Sequence, residues 1–216
     1  MFRASRFRRL RCLFSVPVLL LALLLISGAA RAAELVGDTD VPFSADRTVV
    51  TGGKSYTGRV YAVPGKQRHE QNVNGMNFVT ILRADRRLAW FVLSDFKVFT
   101  SFAFPDVVNA YATHARLGAP VGHDTIAGLP AEKFHIAERG KDGSAVNGNL
   151  WMTRDGIVVR MAGVYTSPKG HQTQASYELS NVVIGPQPAA LFDLPAGLQQ
   201  LPPEAVAGLL NLRLKH

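Results

Sequence analysis

The feature that most restricts this chain is the spacing of its turn pairs. From residue 42 to residue 185, short apolar or alternating runs are separated by two-residue turns, and no long stretch carries a helical period. This pattern predicts an all-β, antiparallel domain. Gly52-Gly53 joins residues 43–51 to 54–62 as a hairpin, because two glycines supply the positive φ angles of the tightest turns. That turn sets Asp46 opposite Arg59 and Thr48 opposite Thr57. The other face then carries Phe43, Ala45, Val49, Tyr56, Val60 and Ala62, interrupted only by Arg47. Asp155-Gly156 predicts a second hairpin, pairing Met152 with Val159, Leu150 with Met161 and Trp151 with Arg160.

Between these hairpins, residues 76–83, 88–93 and 97–104 read as three strands, with Trp90, Phe91, Phe99, Phe102 and Phe104 placing bulk on both faces. A sheet greasy on both sides is covered on both sides or binds something. Residues 106–113 are expected to form a short covering helix. Residues 122–128 and 131–137 are expected to form another hairpin about Leu129-Pro130. A helical turn at 189–192 and an amphipathic helix at 203–214 complete the chain. The basic run Lys66-Gln67-Arg68-His69 reads as a solvated strand edge, where charge discourages unwanted pairing.

The first 32 residues stand apart. Arg3, Arg6, Arg8, Arg9 and Arg11, an apolar run from Pro17 to Ile26, and the small residues Ala30 and Ala32 follow the order of a secretory signal peptide, with cleavage expected after Ala32. The apolar run falls short of the roughly 20 residues that a membrane-spanning helix needs, so no transmembrane span is expected after cleavage. Six of the 24 lysines and arginines lie in this leader with none of the 16 acids. The remaining 18 basic and 16 acidic residues give residues 33–216 a net charge of +2. The high net charge of the whole chain therefore belongs to the export signal, and nucleic-acid binding loses its basis. The expected location is periplasmic or secreted, with residues 33–216 forming a single β domain with a helical tail.

No chemistry-bearing constellation stands out. The lone Cys12 lies in the leader, leaving no thiol nucleophile or thiolate metal site beyond it. Gly52-Gly53-Lys54-Ser55 resembles the end of a phosphate loop, but strand-like sequence follows it where a helix is required. His69, His114, His123, His135, His171 and His216 show no metal-ligand spacing. No catalytic residue, metal or cofactor is expected, and the chain reads as non-enzymatic. The expected ligand is hydrophobic. An acyl chain of about 16 carbons gains on the order of 13 kcal/mol gross at about 0.8 per methylene, enough to bind without a charged anchor. The lining candidates are Trp90, Phe102, Leu150, Met152, Val159 and Met161. The alternative expectation is a structural or sensory envelope protein, filled by its own helices, whose partner is another protein.

Several stretches in order carry a family resemblance: residues 43–46 through Gly52-Gly53 to 56–61, then 79–85, 128–134, 148–152 with Asp155-Gly156, and 185–192. The chain resembles the LolA/LolB-like superfamily of periplasmic lipoprotein carriers, most closely its short periplasmic relatives. The resemblance implies a single, strongly curved antiparallel sheet, a half-barrel, with a few short helices covering its apolar concave side. It also implies binding of lipid or lipoprotein acyl chains.

Overall fold

The computed structural model describes residues 36–37, 39–103, 111–112, 117–139 and 143–213. The expected signal peptide lies outside the described residues. Among the described residues fourteen strands follow one another: β1 (Val36–Gly37), β2 (Phe43–Thr51), β3 (Lys54–Val63), β4 (Lys66–Val73), β5 (Met76–Arg83), β6 (Leu88–Leu93), β7 (Val98–Ala103), β8 (Tyr111–Ala112), β9 (Gly122–Ile126), β10 (Leu129–Arg139), β11 (Ala145–Met152), β12 (Val158–Thr166), β13 (Gln172–Ile184) and β14 (Gln199–Gln200). Short 3-10 turns occupy Ala84–Arg86, Ser94–Phe96 and Ala189–Phe192, and the last described element is helix α1 (Pro203–Arg213).

Twelve strands build one open, curved sheet in the order β14-β7-β6-β5-β4-β3-β2-β13-β12-β11-β10-β9, not closed into a barrel. Two antiparallel meanders, β2 to β7 and β9 to β13, join where the last long strand lies beside the first. β14 alone pairs parallel within this sheet, and β1 pairs parallel with β8 apart from it. Most of the expected covering helix at 106–113 lies outside the described residues, while Tyr111–Ala112 is strand.

The turn chemistry predicted the register. Gly52 and Gly53 adopt φ of 55° and 76°, and Asp46 pairs Arg59 as Thr48 pairs Thr57. In the second hairpin Leu150 pairs Met161 and Trp151 pairs Arg160, but Met152 pairs Val158 and not Val159, because the register shifts between Trp151 and Met152. A bulge of this kind adds one residue to one strand and no two-residue alternation announces it. The β9–β10 hairpin turns at Ala127-Gly128, two residues before the expected Leu129-Pro130, and both turn residues adopt positive φ. The basic run at Lys66 is not a sheet edge. It opens β4, an interior strand between β3 and β5.

One face of the sheet holds three apolar clusters in succession. Phe78, Phe91, Leu93 and Val98 meet Val206 and Leu210 of α1 at one end. Phe43, Ala45, Val60, Ala62, Val159 and Leu179 pack in the middle. Phe134, Ile136, Leu150 and Met152 pack towards the far end. This face is concave, as its glycines show. Gly148 and Gly163 stand opposite each other on it. A Cβ built on Gly163 would lie 2.6 Å from Asn147 O and 2.9 Å from Gly148 Cα, and one on Gly148 would lie 2.7 Å from Gly163 Cα. In a flat sheet a side chain stands clear of the next strand, so the strands lean together here. Their row, Ile136–Gly148–Gly163–Ala175–Thr51, is built of small residues through its centre.

The convex face is mostly wet, except over β5 and β6. There Val79, Ile81, Trp90 and Val92 are buried beneath Leu194 and Leu198. Arg83 fastens this covering segment. It is bidentate on Asp85, donating at 2.8 Å through both Nε and Nη2, while Nη1 donates to Phe192 O at 2.9 Å and to Asp193 at 2.7 Å. The Arg83 hydrogen bond holds the Asp85 carboxyl below its ordinary value.

Candidate functional site

The concave face combines the apolar clusters with a band of polar side chains across its centre. Strand β4 supplies most of the band. Its charged residues Lys66, Arg68 and Glu70 alternate with Gln67, His69 and Gln71, and the second set is buried on the concave side. From the neighbouring meander strand β2, Arg47 reaches across β3 to join them. It can do so because the residue opposite it on β3 is Gly58, which is in turn opposite Gln71. No side chain stands in the way.

The hydrogen bonds of this band fix the roles of its atoms. Arg47 Nη1 lies 2.9 Å from His69 Nδ1, and Nη2 donates to Gln71 Oε1 at 2.9 Å. A guanidinium only donates, so His69 Nδ1 is the acceptor and the ring proton sits on Nε2. Nε2 then donates to Gln67 Oε1 at 3.0 Å. Burial first, and the Arg47 charge second, push the His69 imidazole well below its ordinary value near 6.5, keeping it neutral. Every acceptor in this chain of contacts is therefore occupied by a donor of the band itself. Two further hydroxyls on the same face, Tyr56 Oη and Thr100 Oγ1, are buried without a hydrogen-bond partner among the described residues.

The six lining candidates are distributed over the sheet. Leu150 and Met152 are fully buried with Phe134, Ile136 and Val158, and Met161 packs against that group. Val159 is fully buried in the central cluster. Phe102 packs beside the cluster under α1, whereas Trp90 points to the convex face with Ile81, because adjacent residues of a strand point to opposite sides. The band itself, with Gln67, His69, Gln71 and Arg47, was not among the sequence candidates. Its signal is the alternation Gln-x-His-x-Gln opposite Val60 and Ala62, which are core residues.

A second concavity of about 460 Å³ lies at the β9–β10 edge, lined by His123, Asp124, Pro130, Ala131, Glu132 and Arg154. Among the described residues no group of three or more His, Cys, Asp or Glu side chains is placed to hold a metal ion. No helix among them is long and apolar enough to cross a membrane.

No family model and no curated protein matches the chain. Solved structures do. An uncharacterized conserved protein from Thermus thermophilus is similar over 81% of this chain and 96% of its own, with a TM-score of 0.50 and 16% identity. The two share a fold. The MucA/MucB complex of Pseudomonas aeruginosa contains a chain similar over 81% of this one and 62% of its own, with a TM-score of 0.45 and 16% identity. A LolA superfamily protein from Nitrosomonas europaea is similar over 79% of this chain and 97% of its own, at TM-score 0.41 and 10% identity. At such identities the likeness is one of architecture, and function rests on the site.

Proposed function

We propose that this chain is an exported, periplasmic, non-enzymatic binding protein that holds a lipid, an acyl chain or another hydrophobic ligand against its concave sheet face. One observation carries the reading. Apolar clusters run the length of an open curved sheet, and among the described residues helix α1 covers only the cluster at one end. The cluster residues are themselves 0–7% exposed, and an interior of this apolar character is what suits a hydrophobic occupant. Mass spectrometry of lipid extracted from the protein purified out of the periplasm tests it. A co-purifying acyl lipid near one per chain is expected, and protein that carries none overturns the reading.

A protein partner is the second reading. Val121, Val183 and Ile184 are 62%, 58% and 50% exposed, large aliphatic side chains left in water. Periplasmic cross-linking that recovers one partner protein, lost on Val183→Asp with Ile184→Asp, would favour this reading over lipid binding.

A further inference from the structure

Asn74-Gly75 closes the β4–β5 hairpin. Both residues adopt positive φ, 52° and 81°, and both are exposed. In an asparagine followed by glycine, the side-chain amide lies open to attack by the next main-chain nitrogen, because glycine has no Cβ to shield it. The state of the Gly75 N–H therefore decides how readily this turn reacts. That N–H donates to Asn72 Oδ1 at 3.1 Å.

The orientation of Asn72 is set from a distance. Asp95, in the 3-10 turn after β6, is a carboxylate and only accepts. It takes the Asn77 main-chain N–H at 2.9 Å through Oδ2 and the Asn77 side-chain amide at 3.0 Å through Oδ1. Asn77 must then turn its own Oδ1 towards Asn72, its partner across the ladder, whose Nδ2 donates to it at 2.9 Å. With its amide nitrogen committed there, Asn72 presents its oxygen to Gly75. An anchor that only accepts thus fixes the direction of every hydrogen bond along this chain of contacts. In the Asp155-Gly156 turn, the Gly156 N–H is held instead by a main-chain carbonyl, Thr153 O, at 3.0 Å. At Gly75 the same duty falls to a side chain, which a substitution removes.

We propose that Asn74 is a site of spontaneous deamidation, restrained by Asn72 as a positioning residue that occupies the Gly75 N–H. In the reaction the Gly75 nitrogen gives its proton to solvent and bonds to Asn74 Cγ, and ammonia leaves. The succinimide ring so formed takes up one water and opens as aspartate or isoaspartate, with no change of oxidation state. A hydrogen-bonded N–H parts with its proton less readily, so Asn72 slows the first step. Either product adds a carboxylate at the turn, and isoaspartate also adds one main-chain carbon to a two-residue loop whose length sets the β4–β5 register.

The test incubates the full exported chain and its Asn72→Ala variant at mildly alkaline pH and follows the 72–77 segment by peptide mass mapping. Asn72→Ala should lose the Asn74 amide about two- to twelve-fold faster than the parent, the span in rate that one ordinary hydrogen bond supports. Residue-resolved amide hydrogen exchange should quicken at Gly75 by a similar factor and stay unchanged at Met76, which pairs with Val73 in the ladder. That contrast separates loss of one hydrogen bond from a general loosening of the hairpin. Asn147-Gly148, inside β11 and paired on both sides, should stay intact in both chains. Four results overturn the inference: equal rates at Asn74 in the two chains, exchange that quickens as much at Met76 as at Gly75, conversion at Asn147 matching that at Asn74, or no conversion of Asn74 in either chain.

Discussion

Replacing Gly148 by alanine tests whether the trough is as tightly bent as its glycines imply. The added Cβ would meet Ala162 O and would lie 2.7 Å from Gly163 Cα, so both obstacles are backbone. A flexible side chain swings aside, but here β11 and β12 must themselves part, and each is held by a neighbour on its other side. Overpacking of this kind costs about 1–3 kcal/mol. For a domain of this size each kcal/mol lowers Tm by about 2–4 °C, so Gly148→Ala should melt about 2–12 °C below the parent. Gly122→Ala is the control. Its Cβ would come no closer than 3.9 Å to Lys133, and the change should stay within about 0.5 kcal/mol. Thermal and urea melts followed by circular dichroism measure both. If Gly148→Ala matched Gly122→Ala, the strands would not lean together and the concavity argued from them would fail.

Three more outcomes are expected. His69 is held neutral with its pKa lowered, so the unfolded chain binds its proton more readily than the folded one. Its contribution to stability is complete above about pH 6.5 and is lost as pH falls from there towards the folded value. Urea midpoints should therefore drop more steeply between about pH 7.5 and 5 in the parent than in His69→Gln. Phe134→Ala, at a side chain 1% exposed against Leu150 and Ile136, should cost about 3–5 kcal/mol in the same urea melts. Arg83→Met removes the anchor of residues 192–193 and leaves Asp85 without its main partner. Because Asp85 and Asp193 are partly in water, the expected loss is about 1–3 kcal/mol. Faster proteolysis within residues 185–202, with the sheet's spectrum unchanged, is the reading that distinguishes it from general unfolding.

Local chemistry made much of the fold legible. The glycine pair at 52–53 demands positive φ, and that alone sets the β2–β3 register residue by residue. The two prolines at 202–203 and the apolar spacing that follows likewise mark the terminal helix. The turn at 127–128 is not announced, because Ala127 adopts φ of 52°, a conformation its residue type does not advertise. The shift at Trp151–Met152 is equally silent, because a bulge leaves no mark in alternation.

The candidate site was less legible, and the reason is physical. A period of two assigns β4 two faces, Lys66, Arg68 and Glu70 on one and Gln67, His69 and Gln71 on the other, but period alone does not say which of two polar faces is buried. That depended on the next strand: Val60 and Ala62 on β3 stand opposite His69 and Gln67 and carry them inward with the core. Sequence by itself determined a sheet of alternating strands, the glycine-marked turns at 52–53 and 155–156 and the terminal helix, since each follows from backbone angles and side-chain period within a few residues. Only the tertiary structure decided that twelve strands curl about one side, that Gly58 opens a path for Arg47, and that two hydroxyls end in the interior without partners among the described residues. These depend on contacts between strands far apart in the chain, which no local rule encodes.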